Sequence, residues 1–226
     1  MNLGHSSGIS HASNLGLSTS GLADVIVSPH LHYAAKLLLD NDHKGRAFTI
    51  LRHPIERALS TYHVLQLHST NEELKKMTIE DYINSEYVET NWLTRFLVNR
   101  RQDGIIGYEQ VALAKEVLRR KFLIGLYDHF EESIYRIEAF YGWQITTPPG
   151  RAGAAKLCHE KMIKTTRARD QSDYDFMNSK IQYGDENYKI LKEKNRYDLE
   201  VYYYAVELFK EQGLFLQEKT DLVPFS

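Results

Sequence analysis

Residues 48–62 read FTILRHPIERALSTY, and this stretch decides the fold that we expect for the chain. The apolar run from Ala47 to Leu51 predicts a short buried strand. Arg52-His53-Pro54 ends that strand, and Pro54 suits the first turn of a helix, where its missing N–H costs nothing. A helix is predicted from Ile55 to Leu67, so Arg52 projects from the carboxyl end of a strand.

Outward from this stretch, short apolar strands alternate with longer helices. Two further buried strands are predicted, at Asp24–Val27 and Phe122–Leu126. Helices are predicted at His32–Asp40, Thr78–Asn84, Thr90–Asn99, Tyr108–Lys121 and Phe130–Tyr141, with one broken or two consecutive helices over Asp185–Gln212. This alternation predicts the α/β class, with a parallel sheet flanked by helices. Ligands of such folds collect at the carboxyl ends of the strands.

The domain boundaries follow from composition. Residues 1–22 are rich in Ser, Gly, His and Asn and predict a flexible N-terminal segment without regular structure. Residues 23–226 form one domain in this interpretation. Within it, 148–150 reads as a loop, and 150–180 is predicted to be irregular and polar.

Charge and cysteine content exclude several classes of protein. A net charge of −2 and a pI near 6.6 argue against a general nucleic-acid binder. The single cysteine excludes an intrachain disulfide. No run approaches ~18 apolar residues, so we expect a soluble chain without a membrane span. Of the histidine spacings only His30-x-His32 resembles a metal site, and weakly, so no metal is expected.

The strand end is suited to an anion. The guanidinium of Arg52 could hold a phosphate bidentately, and the hydroxyl of Ser60 could donate a further hydrogen bond if the ligand lies along the helix. The alternative is an arginine that caps neighbouring carbonyls and a serine on a helix surface.

The pattern strand–Arg-x-Pro-x-x-Arg-x-x-Ser-x-Tyr resembles the 3′-phosphate-binding motif of sulfotransferases that use 3′-phosphoadenosine 5′-phosphosulfate. The resemblance implies that Arg52 and Ser60 hold the 3′-phosphate of this donor, and that Arg57 and Tyr62 are structural. The segment 30–212 is similar to the Golgi glycan group, especially the heparan sulfate and uronyl 2-O-sulfotransferases. It implies a P-loop NTPase-like fold, a carbohydrate hydroxyl as acceptor, and a full-length protein in the Golgi lumen or membrane.

The resemblance also implies a general base. His30 lies 22 positions before Arg52, where the family carries its catalytic histidine, and His32 competes for the role. A pKa near 6.5 lets an imidazole accept a hydroxyl proton at neutral pH. The alternative is an ordinary loop histidine.

Two more segments match the family. Lys164-Thr165-Thr166 resembles a Lys-Thr-Thr loop that closes over the donor nucleotide, and its alternative is a solvated loop. Asn91 and Arg95 lie four apart on one predicted helix face. They could bind an acidic acceptor or brace the site.

One half-site of the family is missing. A phosphate loop with a lysine should follow the first strand, but no lysine precedes Asp24, and Gly4–Gly8 follows no predicted strand. We therefore expect the first strand and phosphate loop to be absent, which predicts an unpaired sheet edge and self-association. The competing hypothesis is a non-catalytic or degenerate homologue that keeps only a 3′-phosphate nucleotide or polyanion site. A P-loop kinase or NTPase is disfavoured, since GxxxxGK[ST] does not occur.

Overall fold

The computed structural model describes residues 2–40, 45–100, 104–143 and 152–221. The strands are β1 Ala47–Leu51 and β2 Phe122–Leu126. The helices are α1 Ser6–Asn14, α2 Leu31–Leu38, α3 Pro54–His68, α4 Glu72–Lys76, α5 Ile79–Asn84, α6 Trp92–Leu97, α7 Tyr108–Lys121, α8 Phe130–Tyr141, α9 Ala152–Lys180, α10 Glu186–Lys194 and α11 Arg196–Asp221. A 3₁₀ turn, Tyr127–His129, links β2 to α8.

A small parallel sheet lies between helices. β1 and β2 pair in parallel, from Ala47 opposite Phe122 to Leu51 opposite Leu126. One face packs against α7 and α11 in the main core, and the other face packs against α8. Helix α8 approaches so closely that a Cβ at Gly125 would lie 3.0 Å from the Cβ of Ser133. The prediction of a parallel sheet flanked by helices is confirmed, and this arrangement is compatible with the α/β class.

The strand predicted at Asp24–Val27 is wrong. This segment has no regular structure, and Val25 and Val27 are 41% and 79% exposed. Only Ile26 is covered, by the small core around α1 and α2. A buried strand needs a neighbour for its backbone groups, and neither β1 nor β2 pairs with this segment.

The N-terminal segment contains helix α1, so the prediction of no regular structure there is wrong. Ile9 and Ala12 lie about one turn apart and are fully buried against Leu38 of α2. Packing against α2 stabilises a short helix whose own sequence is a poor helix former. The flexibility predicted for residues 1–22 concerns motion and stays a prediction.

Helix α9 replaces the irregular segment predicted at 150–180, and that prediction is also wrong. The ring of Phe176 stacks on His63 of α3 at 3.9 Å between centroids, and Ile163 is buried. These contacts anchor a helix that is polar over most of its length. Neither glycine nor proline occurs from 154 to 180, which was the available signal. The loop predicted at 148–150 lies outside the described residues.

The two edges of the sheet differ. On the outer edge of β2, the N–H of Ile124 donates to Gln212 Oε1 at 2.8 Å, and Gln212 Nε2 donates to the Phe122 carbonyl at 2.9 Å. The Leu126 N–H donates to Ser133 Oγ at 2.8 Å. In the described part of the chain β1 pairs only with β2, so no strand covers its other edge. Self-association through that edge stays a prediction.

We expect Gln212→Ala to lower the free energy of unfolding by about 1–3 kcal/mol, because a strand donor and a strand acceptor lose their partner. Urea denaturation at neutral pH measures the effect. Glu211→Ala, at an exposed neighbouring position on α11, should stay within about 0.5 kcal/mol of the wild type. Equal stabilities of the two variants would contradict this role of the glutamine.

Candidate functional site

Arg52 lies where the carboxyl ends of the two strands meet. Its guanidinium carbon is 4.7 Å from the ring centroid of Tyr127, the residue that follows β2. Its Nε donates to Glu56 Oε2 at 3.5 Å, and the side chain is 12% exposed. The structure therefore places a half-buried cation at the predicted edge, with a carboxylate beside it.

Ser60 lies on the face of α3 that is turned toward α9. Glu56, Ser60 and His63 share this face because they lie four and then three residues apart. Since His63 stacks on Phe176 of α9, the face is covered by α9, and Ser60 is only partly buried.

A cavity of about 390 Å³ opens beside Tyr127, the residue that follows β2, and we call it the strand-end cavity. Tyr127 and Phe130 form one side, and Thr166 and Arg167 of α9 form the other. Tyr127 is also the ring that Arg52 covers, so the cavity that Thr166 lines shares this ring with the motif arginine. Arg167 pairs with Glu131 across the cavity.

Lys164, Thr165 and Thr166 lie in helix α9, so the prediction of a loop at this position is wrong. Successive helical residues point about 100° apart. Thr166 is partly buried at the cavity, whereas Lys164 and Thr165 are exposed. The structure thus brings one of the three residues to the site.

His53 was not singled out from the sequence, although it follows Arg52 directly. Its ring meets Tyr202 edge-on at 5.4 Å between centroids, and the Tyr202 hydroxyl donates to Asp128 Oδ2 at 3.4 Å. Burial lowers the pKa of His53, and the Asp128 carboxylate opposes this effect in part. Burial and the nearby carboxylates raise the pKa of Tyr202. Position at a strand end was the signal for this histidine.

The lowered pKa makes a prediction about acid stability. A histidine whose folded-state pKa lies below the unfolded value of about 6.5 favours folding above pH 6.5, and this contribution is lost as the pH falls below it. As the pH is lowered from 7.5 to 5.5, the urea denaturation midpoint should therefore fall less in His53→Gln than in the wild type. Val64→Gln, at an exposed position of α3 without a titratable group, should keep the wild-type pH dependence. An unchanged pH dependence in His53→Gln would refute the assignment.

A second cavity, of about 330 Å³, contains His30, His32 and Arg95, and we call it the α2–α6 cavity. Its wall includes the stacked rings of Trp92 and Phe96, 5.0 Å apart and inclined by 11°. The structure therefore brings together both candidate bases and one of the two candidate acceptor residues.

Hydrogen bonds define the state of these side chains. Nε2 of His32 lies 3.0 and 3.1 Å from the carbonyls of Phe96 and Leu97, and must carry a proton because carbonyls only accept. Arg95 donates from Nε to the Thr90 carbonyl at 2.9 Å. It also donates from Nη1 to the carbonyl of Gly104 at 2.5 Å. These bonds fix the arginine at the rim, so its position is set by the backbone.

Asn91 is a brace and does not line this cavity. It is 9% exposed with φ 50°, and its Oδ1 accepts from the N–H groups of Tyr197 at 3.0 Å and Asp198 at 3.2 Å. In return, Asp198 accepts from the N–H groups of Leu93 at 2.8 Å and Thr94 at 2.7 Å, and from the Thr94 hydroxyl at 2.7 Å. Each residue thus caps the helix of the other. Burial raises the pKa of Asp198, against these hydrogen bonds.

Arg57 joins the motif helix to the α2–α6 cavity. Its guanidinium carbon lies 4.6 Å from the ring centroid of Trp92, and its Nη1 is 2.5 Å from Glu89 Oε2. Tyr62, the last member of the motif, is buried and donates to the Met77 carbonyl at 2.8 Å. Both contacts agree with structural roles for these two residues.

Comparison of this chain with protein-family profiles, curated proteins and solved structures finds no match. Within residues 2–40, 45–100, 104–143 and 152–221, no group of three or more His, Cys, Asp or Glu is placed to hold a metal ion. No helix in those ranges combines the length and the apolar character needed to cross a membrane.

Proposed function

We propose that the chain is a sulfotransferase domain of the P-loop NTPase-like fold. It transfers a sulfuryl group from 3′-phosphoadenosine 5′-phosphosulfate to a carbohydrate hydroxyl, and a Golgi location for the full-length protein belongs to the same proposal. One observation carries it: Arg52 lies at the end of β1, helix α3 begins at Pro54, and the cavity beside this edge is lined by Thr166.

In this proposal Arg52 holds the 3′-phosphate bidentately, and Ser60 and Thr166 donate hydrogen bonds from α3 and α9. Lys164 and Thr165 approach the nucleotide from the solvent side of α9. Glu56 opposes binding, because its carboxylate already accepts from Arg52 and would repel a phosphate. The donor therefore has to displace this carboxylate.

The acceptor lies in the α2–α6 cavity. Its hydroxyl oxygen forms a bond to sulfur as the bond between sulfur and the bridging oxygen of the donor breaks, and its proton passes to His30, with His32 as the competing base. Arg95 and the stacked rings of Trp92 and Phe96 orient the sugar. The step needs no metal.

A specific observation favours the second candidate, a non-catalytic homologue that binds a 3′-phosphate nucleotide or a polyanion. In the described residues before β1, the chain forms α1 and α2 and no strand that could lead into a phosphate loop. A binding protein would keep the Arg52 site without holding the sulfate end of the donor. Transfer of labelled sulfate to desulfated glycosaminoglycans separates the two candidates, since only the enzyme produces labelled polymer.

Calorimetric titration tests the site shared by both candidates. We expect the chain to bind adenosine 3′,5′-bisphosphate and to bind 5′-AMP much more weakly, because only the former carries the 3′-phosphate. Circular dichroism establishes that the titrated chain is folded. Equal affinity for the two nucleotides, or no binding by the folded chain, would rule out the assignment of Arg52.

A further inference from the structure

The turn before helix α1 contacts His30 by two routes. Nε2 of His30 lies 3.1 Å from the carbonyl oxygen of Gly4. The hydroxyl of Ser28 donates to the Leu3 carbonyl at 2.9 Å and accepts from the His30 backbone N–H at 3.1 Å. Gly4 therefore holds the ring of this histidine, and Leu3 holds its backbone by way of Ser28.

The first contact fixes the proton of the imidazole. A carbonyl oxygen only accepts hydrogen bonds, so Nε2 of His30 carries the hydrogen. The neutral ring then has Nδ1 as its basic nitrogen. Among the described residues, Gly4 is the hydrogen-bond partner of the His30 ring. The ring lines the α2–α6 cavity together with Arg95.

Helix α1 holds the turn in place. Ile9 and Ala12 are fully buried against α2. The hydroxyl of Ser13 donates to the Leu37 carbonyl at 2.8 Å, and the hydroxyls of Ser10 and Tyr33 lie 2.8 Å apart. The turn and α2, which begins just after His30, are thus parts of one packed unit.

We propose that residues 2–14 are a positioning element for the base: Gly4 tethers the His30 ring, Leu3 tethers the His30 backbone by way of Ser28, and Nδ1 is left as the proton acceptor at the α2–α6 cavity. The inference rests on the proposed function, in which His30 takes the acceptor proton. It assigns a role to a segment whose sequence predicted only a flexible start.

Gly8 allows the tether to be released without breaking helix α1. A Cβ at Gly8 would lie 1.8 Å from the carbonyl oxygen of Asn2, so Gly8→Ala has to displace the turn at residues 2–4. Alanine is a better helix former than glycine by about 1 kcal/mol, so α1 itself is not weakened. Ser28→Ala removes the second route, and Ser28→Thr restores the hydroxyl.

The experiment is NMR relaxation of the histidine Cδ2–Hδ2 groups in the full chain. In the wild type we expect a rigid His30 ring, with an order parameter of about 0.85. In the neutral ring, the Nδ1 resonance should be that of an unprotonated nitrogen, because Nε2 carries the hydrogen. The order parameter should fall below ~0.6 in Gly8→Ala. It should also fall in Ser28→Ala and recover in Ser28→Thr. Ser7→Ala, at an exposed neighbouring position, should behave as the wild type.

His32 is the internal reference, since its ring is held by the carbonyls of Phe96 and Leu97 and should stay rigid in every variant. A His30 ring that is mobile in the wild type, or that stays rigid in both Gly8→Ala and Ser28→Ala, would overturn the proposal. The measurement uses no nucleotide. A failed calorimetric titration therefore refutes the proposed function separately, and leaves the tether to be judged by the relaxation data.

Discussion

Asp198→Ala is expected to lower the free energy of unfolding by about 3–5 kcal/mol, which is a large fraction of the stability of a domain of this size. The carboxylate is fully buried and accepts from two N–H groups and one hydroxyl at the start of α6. Alanine leaves all three donors buried without a partner, and each such donor costs about 1–3 kcal/mol. Helix α6 carries Trp92, Arg95 and Phe96, so the α2–α6 cavity should be lost with it.

Urea denaturation followed by tryptophan fluorescence measures this effect. Asp198→Asn is nearly isosteric but turns an amide N–H toward donors, so it should also destabilise the chain. The matched control is Glu207→Ala on the same helix, where an exposed ion pair with Lys210 is removed at a cost below about 1 kcal/mol. A urea denaturation curve of Asp198→Ala that overlays the control would exclude a capping role for the aspartate.

The elements that depend on neighbouring residues could be predicted from the sequence. A few neighbouring residues suffice to predict β1, α3 and β2. Each strand is an apolar run, and α3 has a proline in its first turn. These elements place Arg52, because a residue that follows a parallel strand has to lie at the carboxyl edge of the sheet. The position of the motif arginine was therefore predictable from a stretch of 15 residues.

Long-range contacts account for what the sequence did not predict. Asn91 and Asp198 cap each other's helices across 107 positions of the chain, and neither position reveals its partner in sequence. Helix α9 depends on its contact with α3, and α1 depends on α2. The segment Asp24–Val27 has the composition of a strand but no strand beside it. Local propensity is a weak prior wherever such tertiary contacts compete with it.

Some features of the candidate site could likewise be predicted from the sequence, and others depend on the fold. The motif predicted Arg52 and Ser60 as site residues. It did not predict that Glu56 accepts a hydrogen bond from the arginine or that the guanidinium lies over the ring of Tyr127. The same holds for His53, whose surroundings are supplied by Asp128 and α11. A motif names the residues that bind a ligand, whereas the competing charges around them are a property of the fold.

Those competing charges lead to the largest effect expected on binding. Arg52→Ala should weaken binding of adenosine 3′,5′-bisphosphate by roughly 100-fold, since a bidentate, charge-assisted contact to phosphate contributes about 3 kcal/mol. Arg52→Lys keeps the charge but loses the planar fork, so an intermediate affinity is expected. His30→Ala should leave nucleotide affinity unchanged, because His30 lies at the α2–α6 cavity. Calorimetry with circular dichroism as a folding control measures all three variants.

Glu56→Gln separates a phosphate site from a merely structural ion pair. The Arg52–Glu56 contact is lost as an ion pair in both Arg52→Ala and Glu56→Gln, so a structural role predicts loss of binding in both variants. A phosphate site predicts opposite signs, because the carboxylate repels the ligand that the guanidinium attracts. Glu56→Gln should therefore bind adenosine 3′,5′-bisphosphate more tightly than the wild type, with unchanged affinity for 5′-AMP. Weaker binding in both variants would show that Arg52 supports the fold of the strand end and does not contact the phosphate.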